Sequence, residues 1–279
     1  MEIKLELNKD VNYNAEVYFN KSKKLKAKLQ GIDMIINKTK KEIEEHKNNK
    51  NKYLEKKKIN EKIKGLKKKE WYDKFRWTKL SSENLFVIGK DAGTNEVLIK
   101  KYVEDTDIIL HSEAPGSPFG IIKNCLNKEG NLLISKNNLE EAGQFLLCFS
   151  SQWKKGFGTA DAFWIKKEQV TKKSMSGEYM TKGSFMIYGD KNMLKNLPLK
   201  IGFGIKTIEI KNGDEVLKIK EPFSGSYEAC KKFCNNKFVK LDPGQLKYKL
   251  LSRNLSKLFK VHIDELPKYI PNDCKILKR

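Results

Sequence analysis

The sequence predicts an α+β protein in which a long helical region precedes a mixture of strands and helices. Three observations indicate this fold class. Residues 12–70 contain no Pro and carry apolar residues at heptad spacing. From residue 71 onward, short β-branched runs alternate with turn-rich segments, which is typical of strands. Amphipathic helical patterns then stand between further strand patterns, as expected when helices pack on antiparallel sheets.

The first region, 1–70, is expected to form an antiparallel coiled-coil hairpin. Its first arm, about 12–46, has an apolar seam made of Leu25, Leu29, Ile32, Ile36 and Ile43. A polar run at 46–52 contains three Asn and no apolar residue, which favours a turn. A second seam follows at Ile59, Ile63 and Leu66. The alternative is one continuous helix that pairs with another chain, but short seams and a polar break favour the hairpin.

The central region, 71–196, is expected to be an α+β domain. Strands are predicted at 85–89, 96–102, 107–111, 119–123, 162–165 and 184–188. A helix is predicted between the fourth and fifth of these strands. Asn137 or Asn138 would cap it, and its buried face would comprise Leu139, Ala142, Leu146, Phe149 and Trp153.

The last region, 197–279, is expected to be a small α+β domain. It begins with a predicted hairpin, 201–210 and 215–219, around the turn dipeptide Asn212-Gly213. The elements predicted to follow are a helix at 227–235, a strand at 237–241, a turn at 242–244, a helix at 245–259 and a short helix at 264–269. The longest of these helices would have Leu246, Leu250, Leu251, Leu255 and Leu258 on one side.

Positive charge is concentrated in two flanks of the chain. The formal net charge is +22: residues 21–70 carry +12, residues 200–279 carry +9, the central 71–199 only +3 and residues 1–20 carry −2. Flanks of this kind predict a polyanionic partner. The alternative is a Lys-rich composition without a specific partner, since Lys greatly outnumbers Arg.

Composition also limits the classes of protein and site. The sequence contains no transmembrane pattern and no signal peptide, so we expect a soluble cytoplasmic protein without a membrane partner. The five Cys are odd in number and fit reduced thiols. Cys230 and Cys234 could share a helix face, but a zinc site needs two more ligands. We therefore expect neither a metal nor a cofactor.

Five segments occur in one order along the chain: EWYDKFRW (70–77), SSENLFVIGKDAGTNEVLIKKY (81–102), DIILHSEAPGSPFGIIKN (107–124), FSSQWKKGFGTADAFWI (149–165) and SGEYMTKGSFMIYGDKN (176–192). This order resembles the RNA-binding-type domain of the NFACT family, the NEMF-like ribosome quality-control factors. The segment 12–29 resembles the start of the family's coiled coil, and 239–251 and 263–276 resemble the tail of archaeal members. The resemblance covers about 12–276.

The resemblance implies binding to ribosomal RNA on large ribosomal subunits that carry stalled nascent chains. Full-length family members also recruit transfer RNA through an NFACT-N domain, for which this sequence has no counterpart. The resemblance therefore allows a transfer-RNA partner and a separately encoded NFACT-N polypeptide. The loop at 114–118 reads Ala-Pro-Gly-Ser-Pro where many members have His-Gly-Ala, and Lys90 stands where many have Arg.

Thirteen residues are candidate RNA contacts: Lys56, Lys57, Lys58, Lys67, Lys68, Lys69, Lys90, Asn95, His111, Lys123, Lys154, Lys155 and Phe157. Lysines can meet phosphates, and an aromatic ring beside them suits single-stranded RNA. Each candidate also has a structural alternative. The coiled-coil lysines could form a solvated face, the loop 90–95 a capped turn, His111 a satisfied core histidine and Lys154 and Lys155 a helix C-terminus.

The sequence as a whole predicts a binding protein and not an enzyme. The alternatives are a stand-alone RNA- or tRNA-binding module outside quality control and an enzyme acting on RNA. The enzyme would use His111, Glu113 and Asp161. No nucleophile motif or metal cluster completes such a mechanism.

Overall fold

The computed structural model describes residues 4–48, 69–172, 181–212 and 215–277. The chain divides into two compact units, 1–67 and 68–279. In the first, helix α1 spans Val11–Asn48, in agreement with the predicted first arm. Its five seam side chains are between 43% and 59% exposed. The second arm, with Ile59, Ile63 and Leu66, lies outside the described residues, so the hairpin stays a prediction.

The second unit is α+β, as predicted, and begins with a 3-10 helix at Trp71–Lys74. Its first eight strands are β1 (Arg76–Lys79), β2 (Leu85–Ile88), β3 (Ile108–His111), β4 (Gly120–Ile122), β5 (Thr159–Lys166), β6 (Val170–Thr171), β7 (Met186–Ile187) and β8 (Asn192–Pro198). Six of them form an antiparallel sheet in the order β1-β2-β4-β3-β5-β8. Strands β6 and β7 pair separately. Another 3-10 helix, Lys167–Gln169, precedes β6.

Both faces of the six-stranded sheet are buried, which explains why its strands read as continuous apolar runs. In β3, Ile108 and Leu110 enter one hydrophobic cluster, whereas Ile109 enters the cluster on the opposite face. Strand β2 alternates in the same way. Side chains alternate across a strand, so a sheet covered on both sides needs apolar residues at every position.

Helix α2 (Ala92–Tyr102) replaces the strand that we predicted at 96–102, and that prediction was wrong. The polar segment before it is a helix start. Asp91 is the N-cap, and its carboxylate accepts a hydrogen bond from the Thr94 backbone N–H. The apolar residues of this run therefore follow helical geometry, with Leu98 completely buried.

Helix α3 (Lys136–Cys148) is capped by Ser135 and not by Asn137 or Asn138. The helix also ends earlier than predicted. Ser150 caps a separate short helix, α4 (Ser151–Lys154), which carries the buried Trp153. The predicted inner face is otherwise correct, because Leu139, Ala142 and Leu146 are buried. These corrections reflect serine hydroxyls that satisfy backbone N–H groups at helix starts.

The C-terminal part adds a second antiparallel sheet, in the order β10-β9-β11-β12. Its elements are β9 (Ile201–Asn212), β10 (Glu215–Gly225), α5 (Tyr227–Phe233), β11 (Phe238–Leu246), α6 (Tyr248–Phe259), a 3-10 helix (Ile263–Lys268) and β12 (Cys274–Leu277). The hairpin of β9 and β10 is confirmed, with Asn212 opposite Glu215, while Gly213 lies outside the described residues. The predicted turn at 242–244 is instead an irregularity within β11. Helix α6 consequently starts later than predicted, and Leu250 and Leu258 are exposed.

One hydrophobic cluster runs from the central part into the C-terminal part. It joins Phe86 and Phe145 to Leu241, Leu255 and Leu266. The predicted boundary at 196/197 therefore crosses a shared core, and the three-domain division stays a prediction. No described helix is both long and apolar enough to span a bilayer.

Candidate nucleic-acid interface

A cleft of about 560 Å³ opens beyond the ends of strands β2 and β3, in the middle of the six-stranded sheet. The strand register places it there, because Ile88 at the end of β2 and Leu110 near the end of β3 both pair with Gly120 at the start of β4. The residues just beyond these strand ends must therefore converge. The cleft brings together three of the predicted RNA contacts, Lys90, Asn95 and His111.

The start of α2 forms one wall of the cleft, and hydrogen bonds between its own side chains and backbone N–H groups cap it. The Thr94 N–H donates to Asp91 Oδ1 at 2.8 Å, and the Lys90 and Asp91 N–H groups donate to Thr94 Oγ1 at 2.8 and 2.9 Å. The hydrogen bond from the Thr94 backbone holds the pKa of Asp91 below its usual range. The segment 90–94 is thus a capped helix start. The group in it that remains available to a ligand is the Lys90 ammonium.

Asn95 is buried and connects α2 to the sheet. Its Oδ1 accepts a hydrogen bond from the Phe119 N–H at 3.2 Å. Only Gly fits at position 89, because a Cβ there would lie 1.9 Å from the same oxygen. The side-chain oxygen of Asn95 therefore has a structural function. A contact of this residue with RNA stays a prediction.

His111 forms part of the aromatic floor of the cleft. Its ring stacks on Phe119 with centroids 3.9 Å apart and meets the edge of Phe163. Burial lowers the pKa of His111, so the ring is neutral at pH 7. Because a carbonyl only accepts, Nδ1 donates its proton to Pro118 O over 2.9 Å. Nε2 is then the ring's hydrogen-bond acceptor.

A second cation in the cleft, Lys182, was not among the sequence candidates. Its Nζ lies 3.6 Å from the position that a Cβ would take at Gly93, over the start of α2. No described residue forms an ion pair with either Lys182 or Lys90. The signal in the sequence was the dipeptide Lys182-Gly183, which lies in one of the family-like segments.

The segment that carries Lys182 is docked on α2 through Gly183. Its N–H donates to Glu96 Oε2 at 3.1 Å. Glu96 also binds Lys100 at 2.6 Å, and the hydrogen bonds from Lys100 and Gly183 lower the pKa of Glu96 to about 2. A Cβ at Gly183 would meet the Ala92 backbone at 2.6 Å, and the backbone there has φ +80°. Gly183 therefore fixes the opposite wall of the cleft.

We expect Gly183→Ala to weaken RNA binding by about 10-fold, because the added methyl group pushes Lys182 away from α2 and the left-handed backbone disfavours Ala by about 1 kcal/mol. Gly130→Ala is the matched control. Gly130 has a similar φ of +79° but lies outside the cleft, and a Cβ there would meet only the flexible end of Lys166. Fluorescence anisotropy with labelled RNA measures both. Equal affinities of the two variants would contradict this role of Gly183.

Two further predicted contacts, Lys154 and Lys155, lie in a different cleft of about 680 Å³ between the end of α4 and residues 243–245 and 272–273. Phe157 follows them and is 49% exposed, as expected of a ring available for stacking. The Ser151 hydroxyl donates to Pro115 O at 2.7 Å and so links α4 to the loop that borders the first cleft.

Two further candidates, Lys123 and Lys69, line neither cleft. The Lys123 ammonium binds Asp107 at 2.6 Å and Glu104 at 2.9 Å, so carboxylates of the protein itself already balance its charge. Lys69 is exposed at the start of the second unit. Lys56, Lys57, Lys58, Lys67 and Lys68 lie outside the described residues.

Each of the three residues of the enzyme alternative is bound to a different partner, so they do not form one catalytic group. Glu113 pairs with Lys191 at 2.8 Å, and Asp161 accepts from the Asn196 N–H at 2.7 Å, while His111 bonds to Pro118. Within the described part of the chain, no group of three or more His, Cys, Asp or Glu side chains is arranged to hold a metal ion.

Comparisons with known proteins identify the proteins that this chain resembles. Residues 74–189 match the family model described as the NFACT protein RNA binding domain. The archaeal Rqc2 homolog aRqcH of Methanocaldococcus jannaschii is 37% identical over 217 residues, or 76% of this chain and 30% of that protein. The human ribosome quality control complex subunit NEMF is 39% identical over 142 residues, or 50% of this chain and 13% of that protein.

The structural comparison gives a distant likeness. The C-terminal part of the fibronectin/fibrinogen-binding protein from Streptococcus suis is 16% identical, with a TM-score of 0.37, over 47% of this chain and 49% of that one. The chain spans less than a third of the length of the archaeal and human relatives.

Proposed function

The chain belongs to the NFACT family, and from this premise we propose that it binds ribosomal RNA on large ribosomal subunits during ribosome-associated quality control. The observation that carries the proposal is the cleft beyond the ends of strands β2 and β3. It lies within the residues that match the RNA-binding domain. It also joins Lys90 and Lys182, for which the described residues provide no ion-pair partner, to a floor of aromatic rings.

RNA suits this combination better than other polyanions. Phosphates bind to the two ammonium groups, and an unstacked base can lie against the rings of His111 and Phe185, both of which line the cleft. His111 Nε2 can accept a hydrogen bond from a base edge or a 2′-hydroxyl. The second cleft, with Lys154 and Lys155, extends the same surface beyond α4.

In this proposal the chain acts in the cytoplasm by binding and positioning, and it performs no covalent chemistry. The basic region 1–70 forms a hairpin that reaches further ribosomal RNA on subunits with stalled nascent chains. Transfer RNA is recruited through an NFACT-N polypeptide. The similarity to the human ribosome quality control complex subunit NEMF and to the archaeal Rqc2 homolog supports the proposal.

Co-sedimentation with purified large ribosomal subunits tests the proposal. We expect binding that weakens steeply with salt, because phosphate contacts release counterions. If about five phosphates are neutralised, the log–log slope should be about −3.5 to −4.5. A slope near zero would exclude nucleic acid. Binding to free RNA without binding to subunits would favour the stand-alone RNA module instead.

A further inference from the structure

Helix α6 is anchored on one side and exposed on the other. On its inner side, Leu251 and Leu255 are buried in the hydrophobic cluster that the C-terminal part shares with the central part. The outer side carries two rows of side chains, because residues four positions apart lie on the same face of a helix. All six members of these rows are exposed, namely the cationic row Lys249, Arg253 and Lys257 and the second row Leu250, Asn254 and Leu258.

The cationic row has no carboxylate of the described residues to balance it. Residues 248–260 contain four Lys or Arg and no Asp or Glu. None of the three cations of the row lies within ion-pair distance of a described acid. Other lysines of the C-terminal part are paired, since Lys231 binds Glu228 at 2.8 Å and Lys232 binds Glu83 at 2.8 Å. The outer side of α6 is therefore a local excess of positive charge.

The spacing of the two rows suits a nucleic-acid strand. The three cations recur about every 6 Å along the helix, because four residues rise by 1.5 Å each. The backbone of RNA presents one negative charge per nucleotide at regular intervals, so a row of evenly spaced cations can follow it. The second row offers two leucine side chains, at least half exposed, and one amide. Apolar and amide groups are the side chains that contact ribose and base edges.

Helix α6 also starts beside the second cleft. The Tyr248 N–H donates to Asp273 Oδ1 at 2.9 Å, and the Lys247 ammonium binds the same carboxylate at 3.2 Å. Asp273 lines the second cleft together with Lys154 and Lys155. The exposed side of α6 is therefore continuous with a surface that already belongs to the proposed interface.

We propose that the outer side of α6 binds a single strand of RNA that continues from the second cleft. Its phosphates lie on the cationic row and its bases lie against the second row, where the Asn254 amide can both donate and accept a hydrogen bond. The inference rests on the proposed function for the identity of the polyanion. It extends the interface beyond residues 74–189, which match the RNA-binding domain.

A lipid surface fits this face less well than RNA does. Helices that lie on membranes bury a continuous apolar face between the lipid headgroups and the acyl chains. The apolar face of α6 is already buried in the protein core through Leu251 and Leu255, which leaves two separate leucines outside. Anionic vesicles therefore serve as the competing ligand in the test.

The test compares two triple variants of the full chain that remove the same charge. The α6 variant is Lys249→Gln/Arg253→Gln/Lys257→Gln. Its matched control changes three exposed lysines that lie outside α6 and line neither cleft, Lys101→Gln/Lys128→Gln/Lys237→Gln. Glutamine is a good helix former, so both variants should melt within a few degrees of the wild type. Fluorescence anisotropy is measured with labelled oligouridylates of about 4 and about 16 nucleotides.

We expect the α6 variant to bind the longer RNA about 10- to 30-fold more weakly. The log–log salt slope should become less negative by about 2, because each phosphate contact on a single strand contributes about 0.7. The shorter RNA can fill a cleft without reaching α6, so its affinity should change by less than about 3-fold, as should the affinity of the control variant for both RNAs. Equal losses of the two triple variants on the longer RNA would overturn the inference.

The second row has its own test, because Leu250→Gln/Leu258→Gln leaves the charge unchanged. We expect this variant to bind the longer RNA about 3-fold more weakly with an unaltered salt slope, since it loses apolar contact and no phosphate contact. Affinity equal to that of the wild type would show that bases do not lie against this row.

Two further outcomes separate the inference from its rivals. Flotation of the wild type, but not of the α6 variant, with phosphatidylserine–phosphatidylcholine vesicles, together with unchanged RNA affinity, would overturn the inference in favour of a lipid surface. If charge reversal at Lys90 and Lys182 leaves RNA binding unchanged while the α6 variant weakens it, the proposed cleft is wrong and the α6 surface stands. The reverse pattern would overturn the α6 surface and leave the cleft.

Discussion

The double charge reversal Lys90→Glu/Lys182→Glu is expected to weaken RNA binding by about 100-fold or more. Each substitution removes a phosphate contact and adds a repulsive charge inside the cleft, where the two ammonium groups have no ion-pair partner among the described residues. The measurement is anisotropy with a labelled single-stranded RNA at fixed salt. The log–log salt slope should also become less negative by about 1.4 to 1.8.

A matched variant distinguishes the cleft from general electrostatic attraction. Lys101→Glu/Lys128→Glu changes the net charge equally, and both lysines are exposed and lie outside the cleft. We expect it to weaken binding less than about 5-fold. Both proteins should melt within a few degrees of the wild type. Equal loss of affinity in the two double variants would mean that the total charge governs binding and that the cleft is not the site.

The central sheet was predictable from the sequence because its strands are buried on both faces. Runs such as Leu85–Ile88 and Ile108–Leu110 are apolar at every position and have turn signals on each side. The error at 96–102 has a local cause. Asp91 and Thr94 look like turn residues, whereas their side chains cap a helix, and β-branched residues such as Val97 and Ile99 do not prevent helix formation.

The site was predictable only where its residues lie next to the strand ends. Lys90 and His111 follow apolar runs directly, so the sequence indicates that they emerge at the edge of a sheet. The packing of the C-terminal part on the same core as α3 has no such local signal, because it joins residues that are far apart in the sequence.

That shared packing depends on a buried carboxylate, and we expect Glu141→Gln to lower the free energy of unfolding by about 2–4 kcal/mol. Glu141, in α3, accepts hydrogen bonds from the Ser81 N–H and the Ser226 hydroxyl, both at 3.0 Å, and from the Ser81 hydroxyl. Ser226 in turn caps α5 by accepting from the Ala229 N–H at 3.0 Å. One side chain thus joins the turn after β1, helix α3 and the C-terminal part.

Glutamine has nearly the same shape as glutamate but only one accepting oxygen, so its NH₂ group faces donors and leaves them unsatisfied. Glu140→Gln is the matched control, because the Glu140 side chain is 42% exposed and its contact with Lys136, at 3.7 Å, is a surface i,i+4 pair expected to contribute about 0.3–0.5 kcal/mol. Urea unfolding followed by tryptophan fluorescence measures both variants. Because the core is continuous across 196/197, the loss in Glu141→Gln should shift one cooperative transition as a whole. A separate early transition of the C-terminal part would show that Glu141 does not couple the two parts, and equal stabilities of the two variants would show that its hydrogen bonds contribute little.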